Sequence, residues 1–303
     1  MYDVIIIGAG PAGLTAAIYA QRAGLSTLLL EELVAGGQMV NTPVVENYPS
    51  IESISGADLS MNMMEHAISL GAKLEYEGVE KIDFSNPVKI IKTANNTYEC
   101  KAVIIANGAK RRKLEVKGEE MYSGRGVSYC ATCDGAFYKD KVTAIVGGGN
   151  TAIEDCLFLA GNCSEVHLIH RRDSFRAEKH LVDAMLAEPK IKVHYNTVVD
   201  EIYGDKTVTG IKISNTKTGE KADIAVSGVF VAVGLNPNNE IFEGVVEMQD
   251  GYIKADESCK TNIDGVFAAG DTRTKSLRQV VTATSDGAMA AVAAASYIKS
   301  VYK

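Results

Sequence analysis

The chain has 303 residues, too many for one small domain, and its 46% hydrophobic and 23% charged content, with no low-complexity run, is that of an ordinary folded protein. Its 28 glycines fall in short clusters without a three-residue period, which excludes a collagen-like fibre and marks tight backbone sites. A balance of 31 basic against 38 acidic residues leaves a net charge of −7 with no basic stripe, so nucleic acid is not an expected partner.

Val4 to Gln21 carries no charge, but Asp3 precedes it, no Lys or Arg does, and Gly8, Gly10, Pro11 and Gly13 interrupt it. It therefore reads as neither a targeting signal nor a membrane segment. The pattern is instead a β-branched strand from Tyr2, a glycine turn at Gly8-Ala-Gly10-Pro-Ala-Gly13, and a helix-forming stretch to Gly24. A second strand, Ser26 to Leu30, ends at Glu31. Strand, G-x-G-x-x-G, helix and acid-ended strand make the dinucleotide fingerprint: the glycines admit a pyrophosphate to the helix N-terminus, and the acid bonds a ribose hydroxyl.

Cys130-Ala-Thr-Cys133-Asp134 comes next. A CxxC brings two sulfurs within disulfide reach, and the same spacing can bind zinc. Zinc needs two further ligands, the best available being Cys163 and His167, but Cys156 and Cys163 lie about two helical turns apart on a helix that a nucleotide site already uses, so redox chemistry is the preferred reading and no metal ligands are assigned. Asp134 can handle protons or cap the helix that follows. The six cysteines are too scattered for a secreted disulfide scaffold, and a reducing cytoplasm fits them best; Cys100, Cys156, Cys163 and Cys259 read as buried small hydrophobes.

The fingerprint then recurs: Val142 to Val146, Gly147-Gly-Gly149-Asn150-Thr151-Ala152, a helix from Ile153 to about Ala160, and a strand from Glu165 to Ile169. Glu31 follows Gly8 by 23 positions, and His170 follows Gly147 by 23. The acid has become His170-Arg171-Arg172, with Arg176 beyond, and guanidinium groups suit a 2′-phosphate where an acid suits a free hydroxyl. The second site is therefore expected to be NADP-type. Near the C-terminus, Val266 to Asp271 reads as a short strand ending in Gly270-Asp271, whose carboxylate stands where α/β sheets place ligands. Arg278-Gln279 reads as a cofactor-contacting turn, and Gly287 to about Tyr302 as a long Ala-rich helix.

The order of GAGPAG, GGQ (Gly36 to Gln38), ENYP (Glu46 to Pro49), CATCD, GGGNTA, HRRDSFRA and AAGD resembles, over essentially the whole chain, the low-molecular-weight thioredoxin reductases of bacteria. The resemblance implies an α/β fold of two Rossmann-like dinucleotide-binding domains. An NADPH domain carrying the CxxC, residues 114–244, would be inserted into a discontinuous FAD domain, residues 1–113 and 245–303. The connections would lie at 113–117 and 241–244, and one domain would rotate on the other. It implies FAD held by Gly8, Gly10, Pro11, Ala12, Gly13, Glu31, Gly37, Gln38, Asn47, Gly270, Asp271, Arg278, Gln279 and Val280. NADPH would be held by Gly147, Gly149, Asn150, Thr151, Ala152, His170, Arg171, Arg172 and Arg176.

Electrons would pass from NADPH through FAD and the Cys130 and Cys133 disulfide to oxidised thioredoxin, Asp134 protonating the departing thiolate. A homodimer with no membrane association is implied. Disulfide reductases with a CxxxxC and a C-terminal His base do not match, because all five histidines precede residue 195. A dithiol oxidase on the same scaffold would not need the arginine cluster, and a non-enzymatic flavoprotein sensor would not need every part of a turnover machine. The chain departs from the family pattern at Ser50, at Ser285, where Gly is common, and at Asn239, where Thr is frequent.

Overall fold

The computed structural model describes residues 1–42 and 44–302. Pro43 and Lys303, which fall inside the ranges expected for the FAD domain, lie outside the described residues. The chain forms two compact units, Met1–Lys110 with Asn236–Lys303, and Arg111–Leu235.

In the first unit, β1 (Tyr2–Ile7), α1 (Pro11–Arg22) and β2 (Thr27–Leu30) follow one another as the first motif requires. Pro11 opens the helix with its φ preset, and Gly24 ends it at φ +77°. Next come α2 (Gly56–Ser69), β3 (Lys73–Glu75), the antiparallel pair β4 (Val79–Asp83) and β5 (Lys89–Thr93), and the long β6 (Thr97–Ile105). The sheet order β3-β2-β1-β6-β5-β4 reverses direction between β1 and β6, the switch point at which open α/β sheets bind ligands.

The second unit begins in β7 (Ala109–Arg111) and continues through β8 (Val127–Ser128), α3 (Ala131–Asp134), β9 (Val142–Gly147), α4 (Asn150–Asn162), β10 (Glu165–Ile169), α5 (Lys179–Ala187) and β11 (Ile191–His194). Three antiparallel strands, β12 (Thr197–Gly204), β13 (Val208–Asn215) and β14 (Lys221–Ala225), make a separate sheet. The chain then returns to the parallel sheet as β15 (Gly228–Ala232), giving the order β11-β10-β9-β15-β8 with its switch between β9 and β15. β16 (Leu235–Pro237) pairs with β7.

Back in the first unit, β17 (Met248–Gln249) and β18 (Tyr252–Ile253) form a hairpin, β19 (Val266–Ala268) joins β6, and α6 (Val280–Val301) closes the chain. β6 shares one edge between two partners: residues 97–100 pair antiparallel with β5, and residues 103–105 pair parallel with β19. Alternation builds the core. Val4 and Ile6 face a cluster with the alanines of α1 and α6, while Ile5 and Ile7 face Leu28, Leu30, Phe84 and Phe242. In the second unit Ala144 and Val146 face the β12–β13 side and Ile145 faces α4.

Candidate functional site

The first glycine loop has the three distinct positions a pyrophosphate site needs. Gly8 turns at φ +100°, and a Cβ there would lie 2.5 Å from the Ala106 carbonyl oxygen. A Cβ on Gly10 would meet nothing within 4 Å, leaving its backbone open to a ligand, whereas one on Gly13 would overlap the Gly8 carbonyl and push α1 off β1. The residues singled out in sequence gather round this loop. Glu31, at the end of β2, accepts the Ala9 and Leu33 N–H groups at 2.8 and 3.0 Å. Gly36 N–H donates to the Ala9 carbonyl at 2.7 Å, which lays the Gly36 to Gln38 segment against the loop, with Gln38 exposed. Gly270, at φ +78°, packs on Ala12, and one carboxylate oxygen of Asp271 beside it is shielded from solvent. Asn47 Nδ2 donates to Gln279 Oε1 at 3.2 Å, and Arg278 stacks on Tyr252 at 4.1 Å while its Nε donates to the Asp271 carbonyl. Val280 opens α6, which a reciprocal Gln279–Thr282 cap starts well before the expected Gly287.

The groups that hold this turn belong to no sequence motif. Asp286 of α6 accepts the Gly270 N–H at 2.9 Å and pairs with buried Arg273 and Lys275 at 3.2 and 2.8 Å. Thr272 donates to Asn239 Oδ1 at 2.6 Å and stands 2.9 Å from Asn107 Oδ1; Asn239 also bonds the Gly251 and Thr272 carbonyls. That network explains why a buried Asn stands at 239. The only signal was the departure itself.

In the second unit, Gly149 is open in the way Gly10 is, and Ala152 is fully buried against Gly147. The arginine loop folds onto the glycine loop: Arg176 N–H donates to the Gly148 carbonyl at 2.9 Å, and Asn150 Oδ1 accepts the Glu178 N–H at 2.8 Å. His170 is buried beneath them. Its ring nitrogens face the Gly147 and Ser174 carbonyls at 2.9 and 2.8 Å, and Phe175 stacks on the ring at 4.7 Å. Thr151, Arg171, Arg172 and Arg176 are exposed, and Asp173, which follows the arginine pair, is held by Lys217 at 2.8 Å. Lys217's hydrogen bond and charge hold the Asp173 carboxyl below its ordinary range.

Cys130 and Cys133 are joined in a disulfide at the short helix α3. Asp134 stands at the N-cap of the turn that follows α3, but its carboxylate makes no capping hydrogen bond; its Oδ2 accepts the Ser128 hydroxyl at 2.5 Å. Tyr129, beside the pair, donates to the buried Glu119 at 2.8 Å, and burial pushes its phenol up. On α4, burial with help from Glu154 raises Asp155 to about 6 against the opposing charge of Arg111. The other four cysteines are buried, and burial pushes the thiols of Cys100, Cys156 and Cys259 up to about 12 and that of Cys163 upward. Such thiols are inert. Cys163 and His167 do not meet: His167 contacts Glu165 and His194 instead. Among the described residues no group of three or more His, Cys, Asp or Glu is placed to hold a metal ion, and no helix is long and apolar enough to cross a membrane.

Two dinucleotide folds and a reducible cysteine pair define an oxidoreductase that works on disulfides. Residues 2–287 match the family described as pyridine nucleotide-disulphide oxidoreductase, and the chain belongs to that family, which implies use of a flavin and a pyridine nucleotide. Thioredoxin reductases are among its relatives. The chain is 48% identical to the thioredoxin reductase of Listeria monocytogenes over 301 residues, covering 99% of this chain and 94% of that protein. It is 44% identical to that of Bacillus subtilis, covering 99% and 95%. The crystal structure of thioredoxin reductase from Streptococcus pyogenes superposes with a TM-score of 0.94 at 44% identity, covering 99% of both chains.

Proposed function

We propose that this enzyme is an NADPH-dependent thioredoxin-disulfide reductase, with FAD in the first unit and NADPH in the second. The observation that carries the reading is a closed Cys130–Cys133 disulfide in a unit that also holds the second glycine loop and three exposed arginines. FAD, when bound, supplies the two-electron relay between nicotinamide and disulfide. Gly8, Gly10, Pro11, Ala12 and Gly13, with Gly37 and Gln38 alongside, take its pyrophosphate, and Glu31 takes a ribose hydroxyl. Asn47, Gly270, Asp271, Arg278, Gln279 and Val280 hold the remainder. Gly147, Gly149, Asn150, Thr151 and Ala152 take the pyrophosphate of NADPH, Arg171, Arg172 and Arg176 its 2′-phosphate, and His170 braces the loop that carries them.

Oxidation of NADPH to NADP⁺ delivers two electrons and one proton, and with a second proton from water these convert the Cys130–Cys133 disulfide to a dithiol. One thiolate attacks a thioredoxin sulfur, the second resolves the mixed disulfide, and Asp134 gives a proton to the departing thiolate. Thioredoxin leaves as the dithiol. Four inert thiols elsewhere support a single redox pair. We also take the enzyme to be a cytoplasmic homodimer; light scattering of the purified protein checks the dimer, and fractionation of the cell checks the location. The functional test mixes the FAD-loaded protein with NADPH, a thioredoxin and a chromogenic disulfide. Turnover that depends on thioredoxin is expected. Flavin bleaching without turnover, or oxygen uptake with a dithiol alone, overturns the reading.

A further inference from the structure

Ser128 ends β8, two residues before Cys130, and is 5% exposed. Its hydroxyl stands between the redox pair and the acid. It donates to Asp134 Oδ2 at 2.5 Å and accepts the Cys130 N–H at 3.1 Å, while the Cys130 carbonyl lies farther off at 3.4 Å. A hydroxyl has one proton to give, and here the carboxylate takes it. Neither turn of helix next to Asp134 uses its carboxylate as a cap, so among the described residues Ser128 is the hydrogen-bond donor that orients it. With a donor on Oδ2, a proton carried by the carboxyl group sits on Oδ1.

We propose that Ser128 is a positioning residue for proton transfer: it fixes the Asp134 carboxyl relative to the Cys130 backbone and confines the transferable proton to Oδ1. This rests on the reading of Asp134 as the acid. In the step concerned, the sulfur–sulfur bond to the departing sulfur breaks as the attacking thiolate forms its own, and the departing thiolate takes the Oδ1 proton. Asp134 becomes a carboxylate and regains a proton from water; no electrons pass through either residue. A hydroxyl lost from this position leaves Asp134 free to rotate, and the proton is no longer held in line.

The test is rapid mixing of the FAD-loaded protein carrying Ser128→Ala, Ser128→Thr, Asp134→Asn, or Ser128→Ala with Asp134→Asn. Asp134→Asn is expected to slow the oxidative half-reaction with thioredoxin by at least about 10-fold. Ser128→Ala should slow the same half-reaction by about 5-fold and leave flavin reduction by NADPH within about 2-fold of wild type. Ser128→Thr, which keeps the hydroxyl, should retain most of the rate. The double variant should be no slower than Asp134→Asn, because Ser128 acts through the acid. Ser128→Ala at wild-type speed, multiplying losses in the double variant, or equal slowing of both half-reactions overturns the proposal. If Asp134→Asn is itself silent, the reading of the acid fails with it, whereas a slow Asp134→Asn beside a fast Ser128→Ala sinks only the role of Ser128.

Discussion

Replacing Arg171 and Arg172 together by alanine isolates the basis of nucleotide choice. Both side chains are exposed, and the loop that carries them is held by other groups: His170 against Gly147 and Ser174, the Arg176 N–H on the Gly148 carbonyl, and Asn150 on Glu178. Truncation therefore removes charge without collapsing the loop. An exposed, solvent-screened guanidinium belongs at the lower end of charge-assisted bonding to phosphate, about a factor of ten each, so the pair should cost NADPH about 100-fold in kcat/KM. NADH has no 2′-phosphate and should stay within about 2-fold. Asp173 remains tied to Lys217, so its charge adds no new repulsion. Steady-state flavin reduction with each nucleotide gives the ratio directly, and raising the salt should weaken NADPH more in the wild type than in the variant. Equal losses with both nucleotides would refute the reasoning.

Cys130→Ser and Cys133→Ser should each abolish thioredoxin reduction while FAD stays bound and is still reduced by NADPH; residual disulfide reduction near wild-type rates would make the pair structural. Ser50 holds φ +75°, where an L side chain is strained, so Ser50→Gly should stabilise the protein by about 0.5 kcal/mol in thermal or urea unfolding, and an unchanged or lower midpoint contradicts this. Burial lowers the pKa values of His167 and His194 from 6.5, with Lys192 pushing both the same way and Glu165 opposing. The folded state thus binds fewer protons than the unfolded chain as pH drops below about 6.5, and stability falls from there toward the depressed folded values. Urea unfolding between pH 7.5 and 5.5 should show that loss, and a His194→Gln variant should show less of it; equal pH slopes would rule the pair out.

The two strand–glycine–helix–strand runs were readable because each combines a β-branched strand, a fixed glycine spacing and a helix of small residues, and β1–α1–β2 and β9–α4–β10 fall where those patterns lie. The start of α6 was not, since Val280-Val281-Thr282 is a β-branched run and the reciprocal cap with Gln279 depends on three-dimensional geometry. Ile241 and Phe242, read as part of a connection, pack with the first unit's core, and an apolar pair in a short turn carries no mark of that. Of the candidate site, the glycines and arginines were legible as motifs. Ser128, Glu119 and Asp286 were not: each is a single common residue whose meaning comes from a partner that no fixed spacing announces.

The shared edge of β6 sets an order of assembly. Arg111–Leu235 is one continuous stretch, and every strand of its parallel sheet is complete once β15 has been made. Residues 1–110 have no such independence: the second half of β6 waits for β19, and the alanine face of α1 waits for α6, both supplied by the last part of the chain. During synthesis the middle of the polypeptide can therefore reach its final form while its beginning still exposes an unpaired strand edge and an uncovered apolar helix. A ribosome stalled before Val266 would display a finished second unit beside a half-built first one.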